Sequence, residues 1–275
     1  MRARFIALGA LTASFFALAP TSQAGNEVNL LVLKERGLGT SAQIQPYVDK
    51  FVAIAQKKLG WSVAKGTFHS ERKAAQAFID SDKPQYGILS LSAYLAMKDP
   101  RKLDTIGQVW ASRAGGQQYF VVSKSASDIA GCKGQKLATD LGDDDKFVDR
   151  VVAAGAFKLA DFTLQATKRP LQGLKMVIHD EAKCALIDDA QMAELASIEG
   201  GKDVKSVWKS ATLPPMAVVA FPSATAADKA AFKSTLDSLC EGDGKTTCSE
   251  VGIQSLKPAT DATYAQVLAA YRKDK

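Results

Sequence analysis

The sequence has 275 residues, 47% of them hydrophobic and 23% charged, with a formal net charge of +6. That is enough for a sizeable core, in one large domain or two small ones. The charge is mildly basic with no dense Lys/Arg block, which fits an ordinary solvated surface and gives nucleic-acid binding little support.

The first residues have the layout of a secretory signal peptide. Arg2 and Arg4 make a basic start, Phe5 to Ala19 is apolar, and TSQA puts Ser22 and Ala24 in the small positions of an A-x-A-like site. Residues 1–24 are therefore expected to be cleaved after Ala24, with export to the periplasm. The apolar stretch is too short for a comfortable membrane span. No cysteine near the site offers a lipid anchor, and no later run is long and apolar enough to span, so the mature chain is expected to be soluble. Loss of Arg2 and Arg4 takes the formal charge from +6 to +4.

VNLLVLK (28–34) reads as a buried strand and ERGLGTS as a loop. Ile44, Tyr47, Val48, Phe51, Val52, Ala55 and Leu59 recur at helical spacing, which predicts an amphipathic helix over 41–59. WSVAKGTF (61–68) is a second strand, SERKAAQAFID (70–80) a short helix, QYGILS a third strand, and SAYLAMK starts another helix. This alternation is the signature of a parallel sheet covered by helices. Two strand-like runs then follow in succession, TIGQVWAS and QQYFVVSK. A new cycle opens at CKGQKLATD, with a helix over 145–157, a strand at DFTLQAT and a helix–strand–helix passage from Lys175 to Leu195. PPMAVVAFP (214–222) is a strand or crossover, and 225–275 reads as mostly helical. Its two helices are separated by a cysteine loop and GIQSLKPATDATY.

The pattern gives two α/β lobes: residues 25–115 with the tail 214–275 returning to them, and residues 116–213. Two such lobes joined by two crossings make a cleft. Ligands of open α/β sheets sit at the carboxyl ends of the strands, and a hinge motion closes the lobes on them.

The four cysteines are Cys132, Cys184, Cys240 and Cys248. In an exported chain they are expected to form disulfides. Cys240 and Cys248 flank the short polar segment EGDGKTT and are the natural local pair, which leaves Cys132 with Cys184. Zinc is the alternative, but no C-x-x-C is present and the chain has only His69 and His179.

The signal peptide, QYGILSLSAYLAM, YFVVSKSASDIAGCKGQKLATD and GIQSLKPATDATYAQVLAAY together resemble the periplasmic solute-binding proteins of type 2 fold. Within them the resemblance is to the phosphate/phosphonate-binding-like group of ABC transporters. The third segment, from Tyr119 to Ala138, is the most telling. The resemblance covers nearly the whole mature chain. It implies a two-lobed α/β fold, each lobe a mostly parallel sheet flanked by helices, joined by two crossover segments. It also implies a small-molecule ligand and an ABC permease as partner.

Candidate ligand-binding residues lie on loops that converge on the cleft. Ser90 and Ser92 stand where a strand meets its helix, and a helix start with hydroxyls beside it suits an anion. The plain alternative is that Ser92 only caps the helix. Arg36, Thr40 and Ser41 precede the first long helix, and His69 precedes the second; glycine turns and caps explain these equally well. From the second lobe come Tyr119, Thr139 and Asp143. Family members often have a Ser/Thr/Gly-rich turn after the strand at KLAT, whereas this chain has Asp140 and Asp143 to Asp145 there. Those carboxylates favour a helix start and would repel a phosphonate. Calcium binding by this run fits the standard twelve-residue loop poorly.

Enzyme motifs are weak. Ser70 and Lys73 form S-x-x-K without its S-D-N or K-T-G partners; no G-x-S-x-G or Walker A is present; HDE (179–181) reads as a surface turn. The expectation is an extracytoplasmic protein that captures a small polar ligand in an inter-lobe cleft for an ABC importer. It has no catalytic residue, no cofactor and no metal. The alternatives are a stand-alone periplasmic sensor or interaction module with a membrane partner, and a hydrolase on the same scaffold. The sequence does not name the ligand.

Overall fold

The computed structural model describes residues 27–37, 39–112, 115–169 and 171–273. The signal-peptide reading of residues 1–24 lies outside the described residues. In chain order the strands are β1 (Glu27–Leu33), β2 (Val63–His69), β3 (Tyr86–Leu89), β4 (Asp104–Ala111), β5 (Tyr119–Ser123), β6 (Lys136–Thr139), β7 (Thr163–Ala166), β8 (Cys184–Asp188), β9 (Lys205–Lys209), β10 (Met216–Ala220) and β11 (Ile253–Pro258). The helices are α1 (Ser41–Leu59), α2 (Arg72–Asp82), α3 (Leu91–Met97), α4 (Asp145–Phe147, running on as a π-helical turn to Val152), α5 (Gln172–Ile178), α6 (Asp189–Glu194), α7 (Ala226–Leu239), α8 (Gly244–Glu250) and α9 (Ala265–Arg272).

The strands make two mixed sheets. The first has the order β11-β4-β10-β3-β1-β2 and the second β7-β6-β8-β5-β9. In the first, β1 is parallel to β2 and β3, while β10 is antiparallel to its neighbours β3 and β4. In the second, β6 is parallel to β7 and β8, while β5 is antiparallel to β8 and β9. The chain leaves the first sheet after β4 and returns at β10. The two crossings touch, since the Leu213 amide donates to the Gln117 carbonyl at 2.7 Å.

Helices cover both faces of the first sheet, and its central strands β3 and β10 are buried along their whole length. On β1, Leu30 packs with Val48 and Phe51 of α1 and Phe232 of α7, while the alternate Leu31 and Leu33 pack with α2 and α3. Edge strand β2 is held to α1 by Gln45, whose side chain donates to the Gly66 carbonyl and accepts from the Phe68 amide. A Cβ on Gly66 would fall 2.5 Å from Val48 Cγ1, so glycine permits this close packing. One apolar cluster runs from this lobe into the other, joining Tyr264 and Leu268 to Phe147, Val148 and Val152. The lobes therefore meet through an apolar contact as well as across a cleft. Among the described residues no helix is long and apolar enough to cross a membrane.

Three local expectations are corrected. The helix expected over 145–157 ends at Val152, because Ala154 and Gly155 take left-handed backbone (φ 47° and 93°). Residues 253–258 form β11 on the sheet edge rather than a connection, and β9 was not anticipated. The segment between Cys240 and Cys248 holds most of α8. The structure bonds Cys132 to Cys184 and Cys240 to Cys248.

Candidate functional site

Loops that follow strand carboxyl ends in both lobes meet at one place. Lys34, Glu35 and Arg36 follow β1, and Ser90 and Ser92 follow β3. Asp140 follows β6, and Asp188 and Gln191 lie where β8 passes into α6. The crossings add Gly115, Gly116, Tyr119 and Pro214 to Met216. Gly115 has φ 70°, and a Cβ on it would meet Asp188 Oδ2 at 2.1 Å, so that position requires glycine. Together they enclose a cavity of about 20 Å³, the space of roughly one water molecule.

Glu35 is the hub. It is buried and takes two hydrogen bonds from Arg72, at 2.8 and 2.9 Å, and one from Ser92 Oγ at 2.8 Å. Arg72 also donates to Asp144 Oδ2 of the second lobe at 2.7 Å. Burial works against the Arg72 charge, but hydrogen bonds and charge from Glu35 and Asp144 more than offset it and raise its pKa. A second bridge comes from Arg36. Its Nε donates to the Asp140 carbonyl and its Nη2 to Asp143 Oδ1, both at 2.6 Å. Arg36 Nη1 is buried without a hydrogen-bond partner, 4.0 Å from Glu35 Oε2. Arg36 and Arg72 thus latch lobe to lobe.

The remaining carboxylates are less well satisfied. Burial pushes Asp140 up to about 6; Arg36 pulls against this and Asp188 adds to it. Burial likewise raises Asp188 against the pull of Lys34. Burial and then Asp188 push the Tyr119 phenol well above its ordinary value. The site therefore offers cationic donors and surplus carboxylate together.

The structure brings Arg36, Ser90, Ser92 and Tyr119 to this cavity. Thr40, Ser41 and Asp143 instead line a wider, polar groove outside the Arg36 bridge, with Ser70, Lys73, Lys168 and Arg169. Thr40 caps α1 through the Gln43 amide. Two further candidates reach neither the cavity nor the groove. Thr139 is buried and its hydroxyl accepts from the Leu141 amide. His69 packs its ring 5.4 Å from Phe78, and burial lowers its pKa. Neither serine hydroxyl caps α3: Ser90 is the cap residue but makes no capping bond, and Ser92 serves Glu35. The anion beside Ser92 is the chain's own carboxylate. Glu35, Arg72, Asp188 and Gln191 were not among the candidates: Glu35 was read only as part of the loop ERGLGTS, and the other three only as parts of predicted helices and strands.

No protein-family model matches the sequence. No curated protein matches it. Solved structures do match in shape. The binding component of a Pseudomonas aeruginosa ABC phosphonate transporter is 12% identical, with TM-score 0.64, covering 88% of this chain and 84% of that one. A Xanthomonas citri protein with bound chloride is 9% identical, with TM-score 0.68, covering 89% and 96%. The periplasmic aliphatic sulphonate binding protein of Escherichia coli is 12% identical, with TM-score 0.62, covering 90% and 91%. The chain has the two-lobed type 2 solute-binding fold. At such identities the likeness is one of fold, and the site has to be read from its own residues.

Proposed function

We propose that the chain is an extracytoplasmic solute-binding protein that captures a small polar solute between its lobes and delivers it to an ABC importer. One observation carries this reading. Strand ends from both lobes converge on a cavity lined by Arg36, whose Nη1 is buried beside Glu35 without a hydrogen-bond partner. A buried donor of that kind costs free energy until an acceptor meets it. The solute presents an acceptor to Arg36 and a donor towards Asp140. One structural neighbour is the binding component of an ABC phosphonate transporter, which supports the same role here. The signal-like start and the two disulfides suit an exported protein. The site reads as a binder and not an enzyme, because Ser92 faces a Glu35 already neutralised by Arg72 and so meets no free base.

Native mass spectrometry of protein isolated from the periplasm tests this. A small adduct released on denaturation is expected, and it should be weakened or lost in Arg36→Gly, which suits the left-handed backbone at that position (φ 58°). If no adduct is found, and no compound in a panel of amino acids, organic acids, phosphonates and sulfonates raises the melting temperature, the reading fails.

A further inference from the structure

Three loops of the first lobe end on one carboxylate. Glu35 follows β1, Arg72 opens α2 after β2, and Ser92 lies in the first turn of α3 after β3. Arg72 Nε and Nη2 donate to Glu35 Oε1 and Oε2 at 2.8 and 2.9 Å, and Ser92 Oγ donates to Oε2 at 2.8 Å. Arg36 Nη1 stands 4.0 Å from the same oxygen without a hydrogen-bond partner, and Ser90 Oγ lies 3.4 Å from Ser92 Oγ. A guanidinium fork with a hydroxyl beside it is a donor set that recognises carboxylate and phosphate-like groups. The carboxyl ends of parallel strands are also where an open α/β sheet places its ligand. Here that place and those donors belong to a side chain only 6% exposed.

The wall across the cavity is acidic. Lys34 and Arg36 line it against Glu35, Asp140 and Asp188. Arg72 is shared between Glu35 and Asp144, and Arg36 also meets Asp143, so carboxylates outnumber the cations beside them. Lys73, Lys168 and Arg169 lie in the outer groove, where solvent screens them. An anion entering between the lobes would therefore meet like charge away from water, where repulsion is strong. A solute with N–H or O–H donors would instead satisfy Asp140 and Asp188.

We propose that Glu35 sets the specificity of the cavity between the lobes. Its carboxylate fills an oxyanion position from within, so the site refuses phosphonates, sulfonates and other anions. It takes a solute of no net negative charge that offers hydrogen-bond donors to Asp140 and Asp188. This rests on the solute-binding reading above.

Melting curves of the whole protein and of Glu35→Ala test the proposal, with formate, methylphosphonate and methanesulfonate each set against chloride at equal ionic strength. In the parent none of the three should raise the melting temperature beyond chloride. Glu35→Ala should melt below the parent, and each anion should raise it saturably, by about 3–6 °C at tenfold excess over Kd. Adding Arg72→Gln should abolish that response, since two of the donors come from Arg72. Glu35→Ser opens similar space and serves if the alanine variant does not fold; the parent's refusal of anions is read without any variant. Saturable binding of any of these anions to the parent, no response in a folded Glu35 variant, or a response that survives Arg72→Gln would overturn the proposal. So would a native adduct of net negative charge. A phosphonate held by the parent would overturn this selectivity and still support capture between the lobes. A parent that holds no solute at all fails the capture reading and leaves the anion response of the variants standing.

Discussion

Asp140 shows at the scale of one residue how the site sets itself against folding. Its carboxyl stands at about 6 in the fold against 3.8 as its ordinary value. Between those pH values the folded chain binds more protons at this position than the unfolded chain. Stability contributed by Asp140 is therefore lost as pH rises from about 4 to about 6, and the cost is fully present above that. It is on the order of 2–3 kcal/mol. Asp140→Asn keeps the backbone carbonyl that Arg36 grips and removes the charge. The variant should be more stable than the parent at pH 7 and nearly equal to it at pH 4, by urea denaturation at both. A difference of the same size at both pH values would show that Asp140 does not titrate this way. Sequence reasoning reached part of this site. Ser90 and Ser92 were legible because hydroxyls between two apolar runs are unusual. Glu35 and Arg72 were not, because a buried ion pair is written in the same letters as a surface charge. Its members lie 37 positions apart, and Asp144 is 72 from Arg72.

At the scale of elements, burial explains part of what was legible, although the exposed edge strands β2 and β7 were also expected. β1, β3 and β10 are covered on both faces, so their apolar runs announced them. β9 and β11 lie at sheet edges and carry lysines, which blunt an edge against unwanted pairing and also erase the strand signal. The cysteines were legible through spacing, and the two bridges constrain elements very differently. Cys132–Cys184 joins residues 52 apart, between the turn before β6 and the start of β8. Cys240–Cys248 joins residues 8 apart, the end of α7 to α8. Loop-closure entropy assigns about 4 kcal/mol to the first and about 2.5 kcal/mol to the second. Replacing each pair by alanines and comparing urea midpoints should show the first loss to be the larger. The reverse order would mean that strain in the second lobe, or structure in its unfolded state, outweighs chain entropy.

The whole molecule is held shut in two ways, and they make opposite claims about its motion. One is the polar latch, with Arg36 on Asp143 and the Asp140 carbonyl, and Arg72 on Asp144. The other is α9, whose apolar side packs on the α4 segment of the second lobe and whose Tyr271 carries Lys146 over its ring at 4.2 Å. A cavity of water size between the lobes means that anything larger than a water enters only after one of these contacts parts. Asp143 is 83% exposed, so its bond to Arg36 is worth little on its own. The Asp144 pair is better shielded and is the stronger half of the latch. Asp144→Asn keeps the capping bond to the Phe147 amide while removing the charge that Arg72 meets. Arg36→Gly removes the other half. The double variant should have a larger radius of gyration than the parent in small-angle scattering at low salt. Salt at about 1 M, where screening shortens to about 3 Å, should weaken the exposed Arg36–Asp143 pair and leave the shielded Arg72–Asp144 pair largely intact, so the parent should stay more compact than the double variant. If the double variant stays as compact as the parent while Tyr271→Ala expands, α9 is the clasp, and the polar residues of the cleft shape the site without controlling its opening.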